Sequence, residues 1–276
     1  MTHPRAGCLT RVNGPLPRRR MLARMCDPNA APRTPAPALD PQHPCAPCPM
    51  RSASICAALG ADRLAQLKSA GRELNLPAGH SLYRQDDAVD ALYLLRSGLI
   101  RLTTRDAEGR EQVLAFRQPG ALIGLTARAR HAQGAETVQP SRLCRWPGNA
   151  TALAARHPEL APPLLGLSLQ ALDGACDQAL RLGRHAATAR LAGFLLELLS
   201  ERPGQNELQL AMKRADIAAH LGLNKESVSR SFTQLRRAGA IALPRPDRVH
   251  LLRPDRLREL AHSTHPHPVL QPARPP

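Results

Sequence analysis

The chain of 276 residues lacks any long hydrophobic run. No stretch approaches the roughly 20 consecutive apolar residues that a helix needs to span a bilayer. The N-terminal segment also lacks the apolar core of a signal peptide, because arginine and proline interrupt it throughout. We therefore expect a cytoplasmic protein without a membrane segment. In that reducing compartment, clustered thiols more often bind metal than form disulfides.

The usual sequence patterns of an enzyme are missing as well. There is no nucleophile–base pair, no glycine-rich loop to cradle a phosphate and no convincing carboxylate pair. A thiol–disulfide enzyme built on Cys45-Ala-Pro-Cys48 is an alternative, but such a motif normally opens a helix beside a βαβ unit. Prolines flank the motif here and no βαβ pattern follows it. The sequence therefore favours a protein that is not an enzyme.

Lysine is scarce, yet the chain is strongly basic. It has three lysines, while Lys and Arg together number 38 against 22 Asp and Glu, for a formal net charge of +16. Clustered basic side chains favour a polyanionic partner. An arginine-rich composition also follows from a GC-rich genome, so the charge supports nucleic-acid binding without establishing it.

Composition and periodicity divide the chain into segments. The basic, proline-rich residues 1–38, which include Cys8 and Cys26, and the short stretch 265–276 are expected to be disordered. Between them we predict a cysteine segment, a β-roll, a long helix and a winged helix-turn-helix, at residues 39–60, 61–158, 159–183 and 184–264.

The β-roll is predicted from short runs of alternating apolar residues that follow a short amphipathic helix at about residues 64–74. The runs lie at 92–95, 99–103 and 113–116, with glycines at 79, 98, 109 and 120 between or beside them. Turn residues that separate β-type alternation are typical of an antiparallel roll or barrel.

The long helix carries an apolar seam with a period of 3.5 residues. Such a seam packs lengthwise on a partner helix, most simply that of a second copy, although packing on the β-roll of the same chain is an alternative. In both cases Cys176 is expected to be buried in the seam rather than to bind metal. Gly183 should end this helix, and the next should begin near Ala186. The seam residues are Leu165, Leu169, Leu172, Cys176 and Ala179.

Residues 213–241 have the pattern of a helix-turn-helix. Gly222 lies at the turn, where a left-handed conformation costs little, and Asn224 can cap the second helix. A two-stranded wing is expected after the second helix, over residues 241–252. The buried faces of the two helices are predicted to hold Ile217, Ala218 and Leu221, and Val228, Phe232 and Leu235.

The opposite face of the second helix should be exposed, with Lys225, Glu226, Ser229, Arg230 and Thr233. In a major groove, arginine can bind guanine through two hydrogen bonds and glutamate can accept one from cytosine. An ordinary surface ion pair between Glu226 and Arg230, one turn apart, is the alternative.

Three cysteines have the spacing of metal ligands, and a fourth stands far downstream. Cys45, Cys48 and Cys56 lie within twelve residues, and Cys144 follows Cys56 by 88 positions. Four thiolates suit a [4Fe–4S] cluster. They also suit structural zinc, although four-cysteine zinc sites usually come as two close pairs. Spacing alone leaves both possibilities open.

From about residue 42 to 262 the chain resembles the Crp/Fnr family of bacterial transcription regulators, most of all its oxygen-sensing Fnr branch. The resemblance implies an α+β fold with a cyclic-nucleotide-binding-like β-roll, a long dimerisation helix and a C-terminal winged helix-turn-helix. The matching stretches are Ser97-Gly98, Gly109 with Glu111-Gln112, Pro119-Gly120, Arg190–Phe194, and Asp216-Ile217 with Leu221–Leu223.

The resemblance also implies a cofactor and partners. Regulators of this branch place three ligands before the roll and one at its end, which implies that the four cysteines hold a [4Fe–4S] cluster. Glu226, Ser229 and Arg230 match the base-reading positions; separately, we expect Lys225, beside them on the same face, to contact phosphate. A homodimer should bind palindromic TTGAT-type sites under low oxygen and act on RNA polymerase. Sensing of nitric oxide, zinc or thiol oxidation through the same cysteines is the alternative.

No cyclic nucleotide is expected. Family members that bind cAMP carry a Gly-Glu-Leu-Gly segment and an Arg-Ser pair, where this chain has Gly124–Ala127 and Gly134–Glu136. The acidic and basic groups for the ribose and phosphate are missing there. Arg128 and Arg130 as substitutes are the less favoured alternative.

Overall fold

The computed structural model describes residues 39–183, 186–200 and 204–262. The predicted tails, with Cys8 and Cys26, lie outside the described residues. Within the described ranges, none of the helices combines the length and apolar composition that crossing a bilayer requires.

An antiparallel sheet makes up most of the N-terminal half and follows helix α1 (Ala61–Ser69). The strand order is β1-β6-β3-β4, with β2 paired to β6 and β5 paired to β3. Every pairing is antiparallel, so the predicted β-roll is confirmed. The strands are β1 (Arg72–Leu76), β2 (Ser81–Tyr83), β3 (Ala91–Arg105), β4 (Glu111–Arg117), β5 (Leu122–Ile123) and β6 (Gly134–Pro147).

Two local predictions for this half are wrong. Helix α1 ends at Ser69 instead of near residue 74, because the chain turns against Trp146 at Gly71. A Cβ atom at Gly71 would lie 2.5 Å from the Trp146 ring. Gly98 does not separate two strands but lies inside β3 with a φ of +105°. The register between β3 and β6 shifts on both sides of it, so Gly98 marks a bulge and not a turn.

Helices dominate the C-terminal half, with a small sheet of order β7-β9-β8. The predicted two-stranded wing therefore has a third strand, β7, whose single buried side chain, Leu208, leaves too little alternation to detect in sequence. The elements are α2 (Ala150–Arg156), a 3-10 turn (Pro158–Leu160), α3 (Ala161–Leu182), α4 (Ala187–Ser200), β7 (Glu207–Gln209), α5 (Arg214–Leu221), α6 (Lys225–Arg237), β8 (Ile241–Arg245), β9 (Arg248–Leu251) and α7 (Pro254–His262).

The seam of α3 is exposed in the single chain. Leu165, Leu169 and Leu172 are 62%, 53% and 59% exposed, and Cys176 and Ala179 are exposed as well. The helix therefore does not pack its seam on its own β-roll, and burial of Cys176 against a second copy stays a prediction. An apolar row of this length remains available to another surface.

The β-roll and the helix-turn-helix share one buried core. Leu99 of β3 belongs to the same cluster as Leu221 and Phe232, and Phe116 of β4 packs against that cluster. An ion pair of 2.9 Å joins Nη1 of Arg101 on β3 to Oδ1 of Asp216 on α5. The helix-turn-helix half is therefore docked on the β-roll half through both apolar and charged contacts.

His220 is buried where β4, α3 and α5 meet. Its Nδ1 lies 3.1 Å from the carbonyl oxygen of Val113, and Nη1 of Arg181 lies 3.5 Å from its Nε2. From α3, Gln178 also donates a 2.6 Å hydrogen bond to the His220 carbonyl. Burial lowers the pKa of the His220 side chain to about 4, so the ring is neutral near pH 7.

We expect His220 to make folding sensitive to acid. Its pKa is near 6.5 in the unfolded chain and about 4 in the folded chain, so below pH 6.5 the unfolded state binds the extra proton. Between pH 7 and pH 5 this linkage should remove about 2 kcal/mol from the free energy of unfolding. Urea unfolding at pH 7 and at pH 5 measures this loss of unfolding free energy. In His220→Gln the loss between the two pH values should be about 2 kcal/mol smaller than in wild type. Equal losses in both proteins would contradict the assignment.

Candidate functional site

The cysteine segment is a series of turns that ends in a 3-10 turn at Ile55–Ala58. The amide of Cys48 donates to the carbonyl oxygen of Cys45 at 3.2 Å, and the amide of Cys45 donates to Nδ1 of His43 at 3.0 Å. Ser54 caps the 3-10 turn by accepting from the amide of Cys56 at 3.3 Å. Local hydrogen bonds thus fix the backbone around three of the four predicted ligands.

The fourth cysteine comes from the sheet. Cys144 lies on β6, paired with Glu73 of β1 and with Leu94 of β3. Cys45, Cys48, Cys56 and Cys144 all line one cavity of about 20 Å³, and Cys176 is not among its lining residues. The structure therefore brings the four predicted ligands together although 88 residues separate Cys56 from Cys144.

Burial governs the acidity of these thiols. It raises the pKa of Cys56 to about 12 and also raises the pKa values of Cys45 and Cys144. These three thiols are thus neutral near pH 7 in the free protein. Since a metal binds the thiolate, metal binding at this cavity must release protons.

The cavity has two further properties. Over the described residues, no group of three or more His, Cys, Asp or Glu side chains is arranged to hold a single metal ion. Three charged side chains that belong to no sequence motif also line the cavity: Lys68, Glu73 and Arg96. The one sequence clue to Arg96 is its position directly after the apolar run of β3.

The helix-turn-helix has the local geometry that its sequence predicts. Gly222 adopts the left-handed conformation, with a φ of +61°. Oδ1 of Asn224 accepts a 2.7 Å hydrogen bond from the amide of Ser227 and so caps α6. Asp216 stabilises the start of α5, where Oδ2 accepts from the amide of Lys213 at 3.0 Å. All six side chains predicted to face inward are buried.

The outer face of α6 is open. Lys225, Glu226, Ser229 and Arg230 are exposed, while Thr233 is half-buried. The alternative of a surface ion pair is not observed in the described structure, since Arg230 donates to Oγ of Ser227 at 3.4 Å instead of pairing with Glu226. Both charged side chains are thus available to another molecule.

Two domain families match the chain. Residues 73–153 match the cyclic nucleotide-binding domain, and residues 189–260 match the Crp-like helix-turn-helix domain. The first match coincides with the β-roll and concerns its fold. The second spans α5 and α6 together with the wing.

Similar proteins agree with this architecture. The nitrogen fixation regulation protein FixK of Bradyrhizobium diazoefficiens is 33% identical over 227 residues, covering 79% of this chain and 94% of the relative. The fumarate and nitrate reduction regulatory protein of Salmonella typhi is 30% identical over 208 residues, covering 72% and 83%. The structure of FixK2 from Bradyrhizobium japonicum superposes with a TM-score of 0.65 at 28% identity, covering 70% of this chain and 98% of FixK2. The chain therefore belongs to the Crp/Fnr family of DNA-binding transcription regulators.

Proposed function

We propose that this regulator senses oxygen through a [4Fe–4S] cluster held by Cys45, Cys48, Cys56 and Cys144. In the cytoplasm, its homodimer binds palindromic TTGAT-type sites when oxygen is low and acts on RNA polymerase. The observation that carries the proposal is the shared cavity, which gathers all four thiols in a regulator that carries an exposed reading helix.

The donor set fits an iron–sulfur cluster better than a single ion. Four cysteines are the usual ligands of [4Fe–4S] clusters. Four-cysteine zinc sites usually come as two close pairs, whereas here Cys144 follows Cys56 by 88 positions. The cavity measures about 20 Å³ without a cluster, so ligation would require its lining side chains to rearrange. When bound, the cluster would supply iron–sulfur bonds that oxygen attacks.

The cysteine segment is packed where it can affect dimerisation. Ile55 and Cys56 belong to one buried cluster with Trp146 of the roll and with Leu160 and Leu164 at the start of α3. Ligation of Cys56 would therefore fix the segment against the first turn of the dimerisation helix. Loss of that ligation would loosen the same contact.

The dimer explains why loosening α3 would lower DNA affinity. Regulators of this family bind DNA and act as dimers, and the exposed seam of α3 is the surface that a second copy would cover. A palindromic site needs two reading helices at a fixed separation. Separation of the protomers removes the gain from binding both half-sites together.

The cofactor can be tested on protein purified without air. Its iron and sulfide content, zinc content and visible absorption are measured, followed by binding to a TTGAT palindrome before and after exposure to air. We expect iron and sulfide in equal amounts, and tight DNA binding that air abolishes. Zinc without iron would contradict the cluster, and equal DNA binding before and after air would contradict oxygen sensing.

Base reading by α6 gives a separate prediction. Arg230→Ala should cost about 1–3 kcal/mol on the preferred site and relax discrimination at one guanine. Lys225 is a proposed phosphate contact, so Lys225→Ala should weaken binding to all sequences alike. It should also reduce the slope of log K against log salt concentration by about one. Glu226→Val should change the preferred base at the position it faces. Binding to a panel of half-site variants measures all three effects, and an identical uniform loss for Arg230→Ala and Lys225→Ala would contradict reading by α6.

A further inference from the structure

An arginine lies among the four cysteines. Arg96 directly follows the apolar run of β3 and lines the cavity that Cys45, Cys48, Cys56 and Cys144 share. Its side chain is 18% exposed. A guanidinium withdrawn this far from water requires negatively charged or hydrogen-bonding partners.

An ion pair and a hydrogen bond hold the side chain of Arg96 beside the cavity. Its Nη1 lies 2.7 Å from Oε1 of Glu73, and its guanidinium is within hydrogen-bonding range of the Cys48 side chain. Glu73 is paired with Cys144 in the register between β1 and β6. The same carboxylate forms an ion pair with Lys68, so one anion on β1 positions two cations at the cavity.

One donor of Arg96 remains unused. Its Nε atom is buried and has no hydrogen-bond partner among the residues that the structure describes. Buried N–H groups are almost always paired, and an exception calls for a specific cause such as a ligand. An acceptor at the cavity would satisfy this donor.

The loaded site would itself be an anion. Four thiolates carry more negative charge than the cluster core carries positive charge, and the cavity shields that excess from water. Cations and hydrogen bonds to sulfur set both the affinity and the reduction potential of such a site.

We propose that Arg96 is a positioning residue for the iron–sulfur group, donating to its sulfur ligands and balancing its negative charge together with Lys68. The proposal rests on the proposed function, because it takes the cluster as the occupant of the cavity. The group that Arg96 recognises is therefore an anionic, sulfur-rich one.

The test compares Arg96→Met and Arg96→Lys with wild type, all loaded without air. Arg105→Met is the matched control, because Arg105 lies on the same strand but is 69% exposed and pairs with Glu111. Iron loss to a chelator under nitrogen should be roughly 10- to 100-fold faster in Arg96→Met. Its reduction potential should be more negative, since a positive charge is lost. Arg96→Lys should recover part of both effects, and Arg105→Met should match wild type.

The outcomes separate this inference from the cofactor itself. If Arg96→Met lost iron at the wild-type rate and kept the wild-type reduction potential, the role of Arg96 would be overturned. The cluster itself would not be affected by that result. Zinc in place of iron in the wild-type protein would overturn the cluster. The rate of zinc release from Arg96→Met would then test the role of Arg96, and faster release than from wild type would support it. A wild type without metal would overturn both. Arg96→Gln, which removes the charge and keeps a donor, replaces Arg96→Met if that variant does not fold, with loss again expected to be faster than in wild type.

Discussion

Leu172→Glu is expected to convert the dimer to monomers and to abolish tight binding to palindromic DNA. Leu172 lies in the middle of the α3 seam and is 59% exposed in the single chain. Pairing of two seams would bury one unpaired carboxylate from each copy, at a cost of several kcal/mol. Sedimentation of the loaded protein measures the dimer, and titration with a palindromic site measures the loss of affinity.

A matched charge on the other side of the same helix controls for this substitution. Gln170 is exposed and lies about half a turn around α3 from Leu172. Gln170→Glu adds the same carboxylate and should leave the dimer intact. A fully dimeric Leu172→Glu protein would show that the two copies meet through another surface.

Cys144→Ala is expected to remove nearly all iron and sulfide from protein purified without air. Cys144 is the one proposed ligand that the sheet supplies, and it lines the cavity together with three cysteines of the turn segment. Three remaining thiolates leave one corner of the cluster without a protein ligand. Iron and sulfide assays on single variants measure the effect, and Cys45→Ala, Cys48→Ala and Cys56→Ala should behave alike.

Cys176→Ala is the matched control for the ligand variants. Cys176 is exposed on α3 and does not line the cavity, so its variant should keep the full iron content. Thermal unfolding of the metal-free proteins checks that each variant folds. Full cluster content in Cys144→Ala would rule out the four-ligand site.

Local sequence patterns predicted much of the fold. The helix-turn-helix follows from short-range features, since Gly222 supplies the left-handed turn and Asn224 caps the next helix. The roll follows from alternation between turn glycines. Gly98 misled the prediction, because a bulge inside a strand and a turn between strands both favour glycine.

Long-range contacts were beyond the reach of the sequence patterns. Arg101 and Asp216 are 115 positions apart and meet only because the two halves dock. Arg96 was overlooked for a related reason, since one arginine in an arginine-rich chain forms no pattern of its own. The cysteines stood out because they are few and closely spaced, and the resemblance then supplied Cys144 as their fourth partner.

Strand β3 limits which relatives can supply a DNA-binding half for a hybrid with this β-roll. One part of it pairs Leu94 with Cys144 at the cavity that the four cysteines line, and another carries Arg101, which forms an ion pair with Asp216 at the start of α5. A hybrid that joins this roll to a relative's DNA-binding half after α3 would lose that acidic partner unless the donor carries one. Arg101 would still contact Glu111 and Glu136, but the reading helix would be held less firmly. The two halves must therefore be exchanged, or evolve, as a matched pair.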